Sequence, residues 1–322
     1  MKRLVKNYRL ILFFLLGVVG GLEWMEVFKP SLRSRIIYGL LKLFYKPEII
    51  EVAKQRGYLD GMRKGMPSPA HLIPKPVDAG GVPAEWVVSD DEISNQVVFY
   101  LHGGAYVTRM PVLHRSFLHL LANESDAQFL MIDYRLAPEF PFPAALDDAL
   151  TAYRWLLNQG YDPKQIVFAG DSAGGGLTLA TLIAARDRGY PLPASAILLS
   201  PWTDLLGTGD AIQELAEEDV LLSWQNLEEC ALDYAGSYDR GNPLISPLYA
   251  DLSGLPPMLV QVGGSEILRD DSTRLVEKIQ QAGGQAQLVI EPFMGHVYPA
   301  YAPSIPEAVK AVQQIAAFIR KS

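Results

Sequence analysis

Residues 170–176 read GDSAGGG, one hydroxyl set among residues with little or no side chain. The flanks decide how the stretch folds. Upstream, Ile166-Val167-Phe168-Ala169 is a short apolar run of strand type, and downstream Leu177–Arg186 is rich in good helix formers. The stretch is therefore a tight turn from a strand into a helix, with Ser172 at its apex. So sharp a turn has no room for side chains beside the apex, and Gly170 and Gly174 fill those two places in a G-x-S-x-G spacing.

Outward from the turn, strands and helices alternate. The patterns predict strands over Glu85–Ser89, Val97–His102, Phe129–Tyr134, Ile166–Gly170, Ala196–Ser200, Met258–Gly263 and Ala286–Glu291. They predict helices near Val112–Asn123, Ala144–Gln159, Ala173–Arg188, Asp271–Ala282 and Pro306–Arg320. Such alternation means βαβ units and a mostly parallel sheet, and short all-apolar strands fit a sheet covered on both faces. A loop rich in Pro and Gly is expected from Met66 to Pro83. The alternation breaks over 203–242, an acidic helical insertion containing ELAEEDVLLSWQNLEECALDYAGSY. An insertion after such a strand rises above the sheet edge where ligands bind. The expected organisation is thus residues 1–75 as an N-terminal apolar segment and first part of a cap. Residues 76–202 and 243–322 form the α/β domain, and 203–242 the second part of the cap.

The chain has 322 residues, 49% hydrophobic and 20% charged, enough for one large α/β domain with an appended subdomain. A net charge of −8 argues against nucleic acid as a partner. The single cysteine, Cys230, allows no internal disulfide and is expected as a small core residue. No C-x-x-C or H-E-x-x-H spacing calls for a metal, and no cofactor is expected.

A serine hydroxyl needs a base, and the base needs an acid to orient it. In an elbow fold of this kind the chain order is serine, acid, histidine. Of the five histidines only His296, in FMGHVY, lies beyond Ser172. VQVGGSEILRDDS offers three acids. Glu266 comes just after the strand Met258–Gly263, whereas Asp270 and Asp271 suit an N-cap or first-turn role. Glu266 is the first choice and the aspartates are the alternatives. The developing oxyanion needs backbone N–H groups. Ala173 supplies one, and the glycine-rich loop in VVFYLHGGAYV supplies others at Gly103, Gly104 and Ala105, with His102 bracing the loop.

HGGAY, DYRLAPEFPFPAALDD, GDSAGGG, SPWTDL, GLPPMLVQVGGSEILRDD and MGHVY follow one another in that order. Together they resemble the bacterial hormone-sensitive-lipase-like family of α/β-hydrolases over about residues 65–320. The resemblance implies an α/β-hydrolase fold with a helical cap and a serine carboxylesterase acting on a small-molecule ester. It puts the nucleophile on Ser172, the base on His296 and the acid, more often Asp in that family, on Glu266. The usual third oxyanion glycine is Ala105. Asp133 and Arg135 are read as a buried pair tying loop to sheet. Trp224, Tyr234 and Tyr238 are read as apolar pocket wall. The expected substrates are short to medium acyl esters. Lactone or amide hydrolysis uses the same parts, and a catalytically silent ligand-binding homologue is the rival of another class. The pattern leaves oligomeric state open.

Lys2, Arg3, Lys6 and Arg9 precede an uncharged run, LILFFLLGVVGGL, over residues 10–22. A basic start before a short apolar run resembles a secretory signal or signal anchor. The run is shorter than the roughly 20 residues that cross a bilayer. Membrane association or export through this segment is the expectation, with a cap helix in a cytoplasmic protein as the alternative.

Overall fold

The computed structural model describes residues 30–44, 75–89 and 95–322. The expected membrane segment, residues 10–22, lies outside them. A first helix, α1 (Leu32–Phe44), precedes β1 (Lys75–Asp78), β2 (Pro83–Val87) and β3 (Val97–Leu101). Then come α2 (Pro111–Ser125), β4 (Gln128–Ile132), α3 (Ala144–Asn158), β5 (Ile166–Asp171), α4 (Ala173–Asp187) and β6 (Ser195–Leu199). The insertion carries α5 (Ala211–Glu214) and α6 (Trp224–Ala235). It is followed by β7 (Met258–Gly263), α7 (Arg269–Gln281), β8 (Ala286–Glu291) and α8 (Pro306–Ile319).

The strands form one eight-stranded sheet in the order β1-β2-β4-β3-β5-β6-β7-β8. The pairs β1/β2 and β2/β4 are antiparallel and the other five are parallel. The all-apolar strands are covered on both faces, as parallel strands require. Along β3 the side chains alternate: Val97, Phe99 and Leu101 join a core with α3 and α4, while Val98 and Tyr100 join one with Phe117 and Leu121 of α2 and Ile315 of α8.

The strand β1 falls inside the stretch expected to be a Pro/Gly loop. Its side chains are mostly exposed and it carries Pro76, so no apolar alternation marks it. An antiparallel edge position tolerates both features. The N-terminal helix is clasped to the far end of the chain. Glu307, in the first turn of α8, accepts hydrogen bonds from Ser31 N–H (2.6 Å), Ser31 Oγ (2.9 Å) and Ser34 Oγ (2.6 Å). Among the described residues no helix is long and apolar enough to cross a membrane.

Candidate active site

The parallel strands end at one edge, and the chemistry-bearing loops leave from there. Between β5 and α4 Ser172 adopts φ 54°, ψ −124°, a conformation costly for any residue with a side chain. It persists because the surroundings fix it. Ser172 N–H donates to Leu199 O at 2.8 Å, and Ser172 O accepts from Trp202 N–H at 2.9 Å and Gly175 N–H at 2.9 Å. A Cβ on Gly174 would strike the backbone of Leu101 and His102, and one on Gly170 would strike the backbone of Gly174. Glycine at these two places is what lets the elbow close against β3.

The loop after β3 lies beside the elbow. Gly104, Ala105 and Tyr106 all have positive φ (123°, 52° and 64°). For Ala105 and Tyr106 this costs roughly 1–2 kcal/mol each. The turn is secured by Val107 N–H and Thr108 N–H donating to Gly104 O, both at 3.0 Å, and by Ala137 N–H donating to Tyr106 O at 3.0 Å. The N–H groups of Gly104 and Ala105 donate to nothing among the described residues. Gly103 differs from expectation. Its N–H donates to Asp171 Oδ1 at 2.9 Å, so its proton is engaged inside the fold and Gly103 leaves the expected oxyanion set. Its bare Cα matters instead, because a Cβ there would run into the Asp171 carboxylate.

Asp171 is the loop's anchor, and the motif alone did not reveal it. Its Oδ1 also accepts the Tyr100 hydroxyl at 2.7 Å, and Oδ2 meets His114 Nε2 at 3.3 Å. Burial opposes its charge, but His114 and the two donors prevail and hold the carboxyl at about 2. His102 braces the loop as expected. Its Nδ1 contacts Gly103 O at 2.8 Å, and its ring stacks on Tyr134 at 4.2 Å. Burial and the neighbouring His114 push its pKa down to about 3, so His102 is a neutral strut.

Two strands further along the edge, the loop after β7 presents Glu266 and the loop after β8 presents His296. Glu266 is fully buried, and its Oε2 lies 3.4 Å from His296 Nδ1, an ion-pair contact slightly longer than an ordinary hydrogen bond. Burial raises the Glu266 pKa against the pull of the imidazole. Burial disfavours the imidazolium too, but the Glu266 charge outweighs it and the His296 pKa is raised. Ser200, at the end of β6, donates its hydroxyl to Glu266 Oε2 at 3.0 Å. Asp219 ties the insertion to the same loop. Its Oδ2 accepts Ile267 N–H and its Oδ1 accepts Leu221 N–H and Leu222 N–H, all at 2.9 Å. From α1, Tyr38 packs against Gly295, next to the histidine.

The alternative acids face elsewhere. Asp270 accepts Ala211 N–H at 2.9 Å, and Asp271 accepts Thr203 N–H and Asp204 N–H at 2.6 and 2.8 Å. The supposed Asp133–Arg135 pair does not form. Arg135 makes a bidentate pair with Asp148 (2.7 Å), four residues into α3, while Asp133 pairs with Arg109. Both residues lie just past the end of β4, and Asp148 claims Arg135 by its backbone N–H (2.8 Å) as well as by its guanidinium, which leaves Asp133 to Arg109. The insertion's aromatics are also reassigned. Tyr234 is fully buried and stacks on Tyr106 at 3.6 Å, which clamps α6 to the loop after β3. Tyr238 is half exposed, edge-on to Phe142, and Trp224 packs over Gly207. Cys230 is buried in α6, its thiol pushed up to about 12 by burial. Among the described residues no cluster of three or more His, Cys, Asp or Glu is placed to hold a metal ion.

Known proteins share this fold. A family profile for the α/β-hydrolase fold matches residues 98–300. An acetyl-hydrolase of Streptomyces hygroscopicus is 41% identical over 244 residues, 76% of this chain and 81% of its own. An esterase of Acinetobacter venetianus is 34% identical over 299 residues, 92% of this chain and 97% of its own. Among crystal structures, an esterase from the bacterial hormone-sensitive lipase family is 41% identical with a TM-score of 0.84, covering 90% of this chain and 97% of its own. The esterase EstE5, soaked with p-nitrophenyl butyrate, is 38% identical with a TM-score of 0.85, covering 90% of this chain and 98% of its own.

Proposed function

Because the chain belongs to the α/β-hydrolase fold family, with bacterial hormone-sensitive-lipase esterases among its structural neighbours, we propose that it hydrolyses short to medium acyl esters with Ser172, His296 and Glu266 as its triad. It is a hydrolase of the esterase kind. The observation that carries the finer reading is the His296–Glu266 contact at the same sheet edge as the strained Ser172.

In this reading Ser172 Oγ attacks the ester carbonyl while His296 Nε2 takes the hydroxyl proton. Glu266, opposite Nδ1, stabilises the imidazolium. The 3.4 Å separation leaves the pair within reach of a hydrogen bond as positive charge develops on the imidazole. The oxyanion is met by the N–H groups of Gly104, Ala105 and Ala173. Each such donor is worth roughly 3 kcal/mol in the transition state. His296 returns the proton to the leaving alcohol. Water, deprotonated by the same imidazole, then attacks the acyl-enzyme, and the acid leaves with Ser172 restored. The acetyl-hydrolase relative and the butyrate ester soaked into EstE5 support a short acyl group.

An organophosphonate probe followed by peptide mapping tests the nucleophile, and a p-nitrophenyl series from acetyl to palmitoyl tests the chain length. The expected results are label on Ser172, loss of at least ~10⁴-fold activity in Ser172→Ala, and butyryl turned over faster than palmitoyl. Label on another serine in active enzyme refutes the triad. A palmitoyl preference refutes the substrate range.

A further inference from the structure

Ser200 stands where β6 ends, between the nucleophile's strand and the acid's strand. It is fully buried and has φ 46°. A serine in the left-handed region is costly, and such strain persists only where surrounding contacts over-determine it. Its N–H donates to Gln261 O at 2.7 Å, and its Oγ has two neighbours. Val297 N–H donates to Oγ at 3.0 Å, and Oγ donates to Glu266 Oε2 at 3.0 Å. Val297 itself sits at φ 50°, so the residue after the histidine is held against its own preference as well.

A hydroxyl has one proton and two lone pairs. Val297 N–H can only donate, so it occupies a lone pair and turns the Ser200 proton toward the carboxylate. Apart from the His296 imidazole, 3.4 Å from the same oxygen, no other group among the described residues donates to the Glu266 carboxylate, and its Oε1 has no partner. A glutamate has one more rotatable bond than an aspartate, and this one is held at a single oxygen, the one that faces His296. We propose that Ser200 is a positioning residue of the reaction. Its hydroxyl fixes the carboxylate oxygen that orients His296 and, through Val297, pins the histidine's own loop to the same point. The inference rests on the triad reading above.

Ser200→Gly separates this role from a structural one, because glycine adopts φ 46° freely and removes only the hydroxymethyl group. The full-length variant keeps the parent melting profile or exceeds it. Its kcat on p-nitrophenyl butyrate falls ~10- to 100-fold, the value of one hydrogen bond to a charged group, and KM stays within about threefold. Ser200→Ala gives the same split if the glycine variant folds poorly. Glu266→Gln loses roughly 10²–10⁴-fold, and the double variant Ser200→Gly/Glu266→Gln is no slower than Glu266→Gln alone, because the two act as one unit. A Ser200 variant within twofold of parental kcat overturns the proposal while Glu266→Gln is still impaired. So does a double variant that shows the full product of the two losses. If Glu266→Gln is itself as fast as the parent, the triad reading falls and carries this inference with it.

Discussion

Asp171→Asn probes the coupling between the Ser172 elbow and the loop after β3 through a nearly isosteric change. In the parent, Asp171 accepts from Tyr100, from Gly103 N–H and from His114. Burial would raise its pKa, yet the partners hold it at about 2, below the value of ~3.9 for an unfolded aspartate. That gap corresponds to roughly 2–3 kcal/mol. A depressed carboxyl contributes stability once the unfolded chain ionises, above about pH 4, and loses it as pH falls toward 2. His114 runs the other way. Burial opposes its charge, Asp171 outweighs burial, and its pKa is raised. Its contribution is full below about pH 6.5 and fades as pH rises through the folded value. The two are one interaction seen from both ends, so it is strongest between about pH 4 and 6.5.

Asparagine can rebuild the network without charge. Its carbonyl takes Tyr100 and Gly103, and its amide donates to Nε2 of a neutral His114 whose Nδ1–H donates to Met110 O, now 3.1 Å away. The variant therefore folds and lacks only the charge-dependent part. Urea unfolding of parent and variant from pH 3 to 9 should show a deficit of roughly 2–3 kcal/mol near pH 5–6 that shrinks toward both ends. The kcat on p-nitrophenyl butyrate should fall about tenfold, because Gly103 and the loop behind it are held less firmly. A deficit independent of pH, or none at all, would show that the carboxylate is not held ionised by these partners.

Glu266→Asp draws the carboxylate back by ~1.5 Å, out of reach of both Ser200 and His296. Ester kinetics should show a loss of ~10- to 100-fold, and an aspartate enzyme as fast as the parent would mean that the loop adjusts freely. Gly174→Ala forces a methyl into the Leu101–His102 backbone, which cannot yield as a side chain can. A loss of about 3 kcal/mol or more, or insoluble expression, should follow, and a parental melting profile contradicts the close approach. Removal of residues 1–22 should leave ester hydrolysis intact and shift the protein from the membrane pellet to the supernatant. Full-length protein found wholly in the supernatant removes the membrane reading.

Much of this was legible from short-range signals. The apolar runs at Val97–Leu101, Ile166–Ala169 and Met258–Val260 lie in β3, β5 and β7 as expected, since a doubly covered strand is mostly apolar. Chain order and place after strands single out Ser172, Glu266 and His296, the residues on which the proposed triad rests. What the sequence hid are partnerships across the sheet edge. Nothing near Gly103 says that its N–H is claimed by a carboxylate 68 residues away. Asp133 and Arg135 look like a pair because they are close in sequence, yet each is taken by a partner from another element, Arg109 and Asp148. Ser200 looks like an ordinary loop serine in SPWTDL until its positive φ and its two hydrogen bonds are seen. The aromatics of α6 read as pocket wall, yet Tyr234 lies flat on Tyr106.

The sheet order has a bearing on assembly. Along one edge, β3, β5, β6, β7 and β8 stand side by side. In the proposed reading they deliver in turn the oxyanion loop, the nucleophile, the hydroxyl that holds the acid, the acid and the base. At ~4.8 Å between neighbours, these five strands span about 19 Å. The spatial sequence follows the order of synthesis, and in that reading the base comes after the last of the five. A nascent chain paused after β7 would already hold Ser172 on its elbow, with the oxyanion loop in place, and still lack its proton acceptor. In that reading esterase activity is a late reporter of assembly, silent until β8 has docked.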